Sequence, residues 1–270
     1  MDTARMTVPR TGYAYLDDDP PPIAFAHRGG AMHPDLPGLE NTMAAFRHAV
    51  SLGYRYLETD VHATVDGVLL AFHDEELDRV TDGKGSLGAL AHDEVGALLI
   101  GGREGIPTLA QLFDEFPQVR FNIDIKSNAA VALLARFLDE REAHDRVLVG
   151  SFSPRRIRHF RRLTRGRVAT AAHALEVLAF RFLPSARLAD LVTRGRPAAL
   201  QVPHRHRGLT VTTAGLVRRA HAAGKHVHSW TIDDPAEMIL LLDRGVDGLM
   251  TDRTDILKDV LLERGQWTGS

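Results

Sequence analysis

Residues 23–74 read IAFAHRGGAMHPDLPGLENTMAAFRHAVSLGYRYLETDVHATVDGVLLAFHD. The apolar run Ile23 to Ala26 delivers His27 and Arg28 into a Gly29-Gly30 turn, which reads as a buried strand with functional groups at its carboxyl end. Asn41 or Thr42 caps a helix over 41–52, with Met43, Ala44, Phe46, Ala49, Val50 and Leu52 at helical spacing and Gly53 closing it. The next strand carries Glu58, Asp60 and His62 on one face, because strand side chains alternate. Asp66-Gly67 turns the chain, and the run Val68 to Phe72 ends in His73-Asp74. Two histidines, an arginine and two carboxylates therefore stand at consecutive strand ends. Packing alone gives no reason for them.

Outward from this stretch the pattern is strand then helix, repeated. Apolar, β-rich runs lie near 23–27, 55–62, 120–126, 147–152, 167–172, 198–203, 226–232 and 247–251. Amphipathic stretches over 41–52, 129–141, 154–163, 213–223 and 235–244 separate most of them. Such alternation predicts parallel strands joined by right-handed crossovers. At 270 residues the simplest closure is an α/β fold of the (β/α)8 TIM-barrel type, typically ~250 residues long. A doubly wound open sheet is the competitor, but no glycine-rich dinucleotide fingerprint follows any strand. The interval 75–107, with its polar run TDGKGSLG and a short helix expected from His92 to Leu99, interrupts the alternation as a small insertion after the second strand. Residues 1–22 are polar and proline-rich, expected as an arm on the surface or partly disordered, and 23–270 as one domain.

Composition excludes several classes. A net charge of −2 argues against a general nucleic-acid binder, and the absence of cysteine removes disulfides and thiolate ligands. The first 22 residues lack a basic start followed by an apolar run, and no segment reaches the ~18–20 apolar residues of a membrane span. The expectation is a cytoplasmic protein. Oligomeric state is left open.

Glu58 and Asp60, two apart on one strand face, repel each other unless something positive lies between them. Ordinary acids on a solvated edge strand are the bland reading; a site for a hard divalent cation, Mg2+ or Ca2+, is the functional one. Asp124 is the third carboxylate, because FNIDIK puts Asn122, Asp124 and Lys126 on one face, and a barrel gathers these at the end that carries His27. His27 and His73 each end an apolar strand, and two imidazoles suit a reaction that removes one proton and delivers another. Arg28 and Lys126 have the chemistry to hold a phosphate, and Glu40 is placed to hold Arg28 or a histidine from behind. Trp230, on a face shared with His228, is either core or an apolar wall beside substrate. The run His204-Arg205-His206-Arg207 is a solvated charge cluster or an attractor of anionic head groups. The apolar set Leu175, Val177, Leu178, Phe180, Phe182 and Leu183 is an ordinary outer helix, or an apolar lip with Phe180 to Leu183 at the mouth.

The chain resembles the glycerophosphodiester phosphodiesterase family. The matching pieces are His27-Arg28-Gly29, Glu40-Asn41-Thr42, Glu58-Thr59-Asp60-Val61, Asp66-Gly67 and His73-Asp74, then Asn122 to Lys126, Trp230-Thr231, Asp247-Gly248 and Thr251-Asp252. They run from about residue 23 to about 262. The resemblance implies metal-dependent cleavage of glycerophosphodiesters to sn-glycerol 3-phosphate and an alcohol. Glu58, Asp60 and Asp124 would hold the cation, His27 and His73 would act as acid and base with Arg28, and Lys126 and Trp230 would contact substrate. The third metal carboxylate is usually glutamate in such enzymes. Here it is Asp124, as in the related sphingomyelinase D enzymes. A lysophospholipase D or sphingomyelinase D-like activity, on lysophospholipid or at a membrane surface, is the rival enzyme. A silent phosphodiester-binding barrel is the rival of another class.

Overall fold

The structure is a computed structural model, and it describes residues 9–269. Eight parallel strands carry the fold: β1 (Ile23–Ala26), β2 (Tyr56–Ala63), β3 (Arg120–Ile125), β4 (Val147–Gly150), β5 (Ala169–Thr170), β6 (Ala199–Pro203), β7 (His226–Trp230) and β8 (Gly248–Thr251). They lie in the order β5-β4-β3-β2-β1-β8-β7-β6, and a parallel bridge between Ala171 and Ala199 joins the two ends. A nearly closed (β/α)8 barrel results. A short strand, Leu69–Ala71, pairs antiparallel with β2 and carries the chain towards His73.

The outer helices follow the alternation: α1 (Met43–Ser51), α2 (Leu109–Glu115), α3 (Ala129–Glu140), α4 (Pro154–Leu163), α5 (Ala174–Phe182), α6 (Ala186–Thr193), α7 (Ala214–His221), α8 (Pro235–Asp243) and α9 (Thr254–Glu263). Thr42 caps α1 by accepting from the Ala45 N–H. Helices α2 and α9 lie outside the amphipathic stretches read from periodicity. A local sign of α2 was present nonetheless: Thr108 and Gln111 form a reciprocal capping box. The 75–107 segment contributes Leu77, Leu87, Val95, Ile100 and Ile106 to a satellite core with Leu70 and Phe72. Its helix is shorter than expected, His92–Val95, and a two-stranded ribbon (Leu99–Ile100 with Glu104–Gly105) follows. No helix among the described residues is long and apolar enough to cross a membrane.

Two apolar layers hold the barrel. The larger lies between strands and helices, with Leu57, Val61, Phe121, Ile123, Val147 and Val149 facing outward. The inner one fills the barrel floor with Phe25, Tyr56, Leu148, Ala169, Ala199 and Met250. Gly248 belongs to this interior for a steric reason: a Cβ there would meet Phe25 at 2.7 Å.

The N-terminal arm corrects the surface expectation. Residues 1–8 lie outside the described part, but the helical turn Ala14–Asp17 inserts Tyr15 and Leu16, both fully buried, into the floor. Tyr15 meets Tyr56 edge-on at 5.4 Å, and the Tyr56 hydroxyl oxygen lies 3.1 Å from the Tyr15 carbonyl. Asp19 ties the arm down by accepting from Arg55, Arg120 and the Tyr56 hydroxyl. Strand patterning says nothing of this, because the floor is built by side chains from several strands that leave a hole for an aromatic plug. Tyr15→Ala is therefore expected to lower stability by about 3–5 kcal/mol in urea denaturation, the cost of removing a buried aromatic.

Candidate active site

At the carboxyl ends of the strands, a cavity of about 530 Å³ opens. His27, Arg28, Glu58, Asp60, His73, Asp124, Lys126 and Trp230 all line it. Glu40, expected behind Arg28 or a histidine, stands behind this wall rather than on it.

The turn after β1 sets the first groups. Arg28 has a left-handed backbone, φ 50° and ψ 29°, unusual for a residue with a side chain. Gly29 follows at φ 84°, and a Cβ there would lie 2.7 Å from that of Ala45. The strained turn presses against α1 and aims the Arg28 guanidinium inward. Its Nε lies 3.1 Å from Asp60, and its Nη1 donates to Glu40 at 3.0 Å. Arg28 is thus the one of Glu40's two expected partners that it contacts. Glu40 also receives both terminal nitrogens of Arg79, which sequence reasoning passed over.

Strand register brings the carboxylates together. Asp60 is opposite Asp124, and Glu58 is opposite Asn122. Lys126 spans the first pair, its Nζ 3.0 Å from Asp60 and 2.7 Å from Asp124. Asp60 also accepts from the Asn41 side chain, a residue read from sequence only as a possible helix cap. Glu58 accepts from the Arg28 backbone N–H. Burial and the neighbouring Asp60 push the Glu58 carboxyl up. For Asp60, burial acts in the same sense, but Lys126 and Arg28 outweigh it and hold the carboxyl down. Asp124 is raised, burial prevailing over Lys126, and its Oδ1 is buried without a hydrogen-bond partner. Two raised carboxyls, one with an orphaned oxygen, on a wall with a third carboxylate form a donor set suited to a hard cation.

Among the described residues, the one His/carboxylate group whose candidate ligand atoms all lie within 4.8 Å of one another is elsewhere. It is His33, Asp35 and His48, none of which lines the cavity, and Asp35 is exposed.

His27 and His73 are each held at Nδ1 by a carboxylate. His27 is hydrogen-bonded to Asp252 at 2.7 Å, and its Nε2 lies 3.8 Å from Glu58. Burial works against the charged ring, yet Glu58 and Asp252 outweigh it and raise His27 to about 8. His73 is bonded to Asp74, which in turn accepts from Arg79. His62 supports the loop from below, hydrogen-bonding the His73 carbonyl through Nε2 at 3.1 Å. Asp252 and Asp74 are the supporting residues that sequence reasoning left without a role. The signal for Asp74 was its place directly after His73. Nothing local pairs Asp252 with a histidine near the other end of the chain.

Much of the remaining wall is apolar. Trp230 and Phe152 meet edge-on at 5.6 Å, and Pro203, Val177, Leu178 and Val211 complete it. Of the two readings of this segment, the lip from Phe180 to Leu183 is not formed. Phe180 is fully buried in the core, and the face of α5 that reaches the cavity carries Ala174, Val177 and Leu178. Helix phase alone leaves that choice open. It is made by Arg161, itself buried, which grips Glu176 with both terminal nitrogens and bonds Thr170 through Nε. The ribbon Arg205–His206 with Leu209–Thr210 brings His206 to the cavity, whereas His204 turns away to Glu237 and Arg244.

A TIM barrel whose cavity gathers histidines, carboxylates and basic groups has the chemistry of a phosphodiester hydrolase. The profile of the glycerophosphoryl diester phosphodiesterase family matches residues 27–256. A Mycobacterium tuberculosis (strain H37Rv) protein named probable glycerophosphodiester phosphodiesterase 2 is 43% identical over 251 residues, covering 92% of this chain and 94% of that protein. Human lysophospholipase D GDPD1 is 39% identical over 122 residues, 40% of this chain and 38% of the human one. A solved phosphodiesterase of Oleispira antarctica, in complex with the product sn-glycerol-3-phosphate, superposes with a TM-score of 0.72 at 23% identity, covering 89% of this chain and 97% of that one. The chain belongs to the glycerophosphoryl diester phosphodiesterase family, and is a phosphodiesterase that hydrolyses glycerophosphodiesters.

Proposed function

We propose that this enzyme cleaves glycerophosphodiesters to sn-glycerol 3-phosphate and an alcohol by acid/base catalysis between His27 and His73, with a divalent cation, Mg2+ or Ca2+, at Glu58, Asp60 and Asp124. The observation that carries the reading is the matched pair of imidazoles on one cavity. Each is fixed at Nδ1 by an aspartate, which leaves Nε2 as the atom able to exchange a proton. One ring takes the proton of the glycerol hydroxyl next to the phosphodiester as that oxygen attacks phosphorus. The other gives a proton to the departing alcohol oxygen. Water then opens the cyclic phosphate with the two roles reversed, restoring both rings. Arg28 and Lys126 offset the negative charge that gathers on the phosphoryl oxygens. When bound, the cation supplies Lewis-acid polarisation and a template for the phosphate. The orphaned Asp124 oxygen and the raised Glu58 carboxyl support its placement.

The test is incubation with glycerophosphocholine with and without EDTA, assaying glycerol 3-phosphate. Release that stops on chelation and returns with Mg2+ or Ca2+ is expected. Release indifferent to EDTA would remove the metal from the scheme, and no release at all would remove the substrate class. A second readout is independent of turnover. In chelator-treated protein the His27 ring is expected to titrate near 8 by NMR and to shift lower when the cation is added. The sign follows from Glu58: its negative charge stabilises the imidazolium, and a cation on Glu58 cancels that stabilisation.

A second reading is favoured by the apolar half of the cavity. Val177, Leu178, Phe152 and Trp230 offer a glycerophosphodiester head group little but could cover the start of an acyl chain. Lysophospholipids are the substrates this wall fits, and lysophosphatidylcholine belongs in the same assay.

A further inference from the structure

Helices α5 and α6 each turn three large apolar side chains to solvent, more than α4, α8 or α9, which expose one or two. Leu175, Leu178 and Phe182 on α5, and Leu188, Leu191 and Val192 on α6, are 37–73% exposed. Their spacings, three and four on the first helix and three and one on the second, make each set one stripe of its helix. The opposite stripes are already spent inward: Glu176 and Phe180 on α5, Ala189 and Thr193 on α6, are buried. An apolar surface of this extent is uncommon on a protein that meets only water.

Charge says what it meets. The acids of this segment are both engaged, Glu176 with Arg161 inside the fold and Asp190 with Lys225. Arg181, Arg187 and Arg194 are exposed beside the stripes. The ribbon next to the cavity repeats the combination: Arg205 and Arg207 are exposed together with Leu209. Exposed leucines, valine and phenylalanine among unpaired arginines are the composition of an interfacial surface that lies on anionic lipid. The surface is also continuous with the active cavity, since Leu178 belongs to both the α5 stripe and the cavity wall, and His206 of the ribbon lines the cavity too.

We propose that α5, α6 and the 205–210 ribbon form a docking face along one side of the barrel, reaching its mouth at Leu178 and the ribbon, that lies on an anionic phospholipid bilayer. The inference rests on the phosphodiesterase reading of the cavity only for its purpose: a docked mouth takes its lipid phosphodiester from the bilayer rather than from water. The face itself stands on exposure and charge.

The test uses the full chain with sedimentable vesicles of phosphatidylcholine alone or of phosphatidylcholine with phosphatidylglycerol. Retention is expected on the phosphatidylglycerol vesicles, falling as salt is raised. The variant Phe182→Ser/Leu191→Ser should partition at least ~10-fold more weakly, the scale of two apolar side chains kept out of lipid. Neither residue touches the cavity, so its turnover of glycerophosphocholine should equal that of the parent. Equal partitioning of variant and parent, or no retention on either vesicle, overturns the proposal. So does a parent that dimerises by light scattering while the variant does not, which would assign the face to a second copy of the chain. Vesicle binding by a protein that releases no glycerol 3-phosphate would leave the docking face standing and sink the catalytic reading alone.

Discussion

Replacing His73 by alanine is expected to lower kcat on glycerophosphocholine by about 10²–10⁴-fold, the usual contribution of one positioned acid or base. His27→Ala should cost as much, because the scheme uses both rings in each step. Neither loss should come with unfolding. His73 lies partly exposed at the mouth, and the His27 ring, though better covered, contacts polar groups rather than the apolar floor. Circular dichroism and urea midpoints close to those of the parent are part of the expected result. Asp252→Asn tests the support as distinct from the ring. Losing the carboxylate at Nδ1 weakens the charged form of His27, so the fall in kcat should be smaller than for His27→Ala and accompanied by a lower His27 pKa. His33→Ala and His92→Ala, which alter residues off the cavity, should leave kcat unchanged. A His73→Ala enzyme with near-normal turnover would dismiss the two-histidine scheme.

The second large effect concerns the carboxylates. Asp124→Asn is expected to weaken Mg2+ or Ca2+ by about 10–100-fold or more in calorimetry, since hard cations respond steeply to the number of charged ligands. Lys126 keeps its contact with Asp60 in this variant, so the phosphate-binding charge remains and the deficit should be partly recovered at high cation concentration. Glu58→Gln should behave alike, but without that recovery if Glu58 is the principal ligand. Asp124→Glu restores the longer acid usual at this position in the family and should keep cation binding. Unchanged affinity in both Asp124→Asn and Glu58→Gln would show that the cation sits elsewhere. The His33, Asp35 and His48 group would then be the next place to look.

Most of the barrel was legible from local pattern. A parallel strand buried on both faces must be an apolar run, and runs such as IAFA and VLVG fall in β1 and β4 as expected. Alternation is equally local. It puts Glu58 and Asp60 on one face whatever surrounds them, and the parallel pairing of β2 with β3 then sets Asp124 beside Asp60. Polar residues that gather on the cavity could therefore be named from strand ends and strand faces, His27, His73 and Lys126 among them, whereas Trp230 stayed open between core and wall.

What spacing left open was decided by contacts between parts of the chain with no local relation. The sequence by itself determined the strand–helix alternation, the face of each strand and the chemistry carried at the strand ends. Only the tertiary structure decided that Asp252 holds His27, that Arg79 links Asp74 to Glu40, and that Tyr15 plugs the barrel floor. It likewise decided that Phe180 turns inward while Leu178 reaches the cavity. The reason is geometric. A strand has two faces and the pleat assigns its residues to them, whereas an apolar helix can be rotated about its axis. Its phase is set only when a partner such as Arg161 grips one side of it.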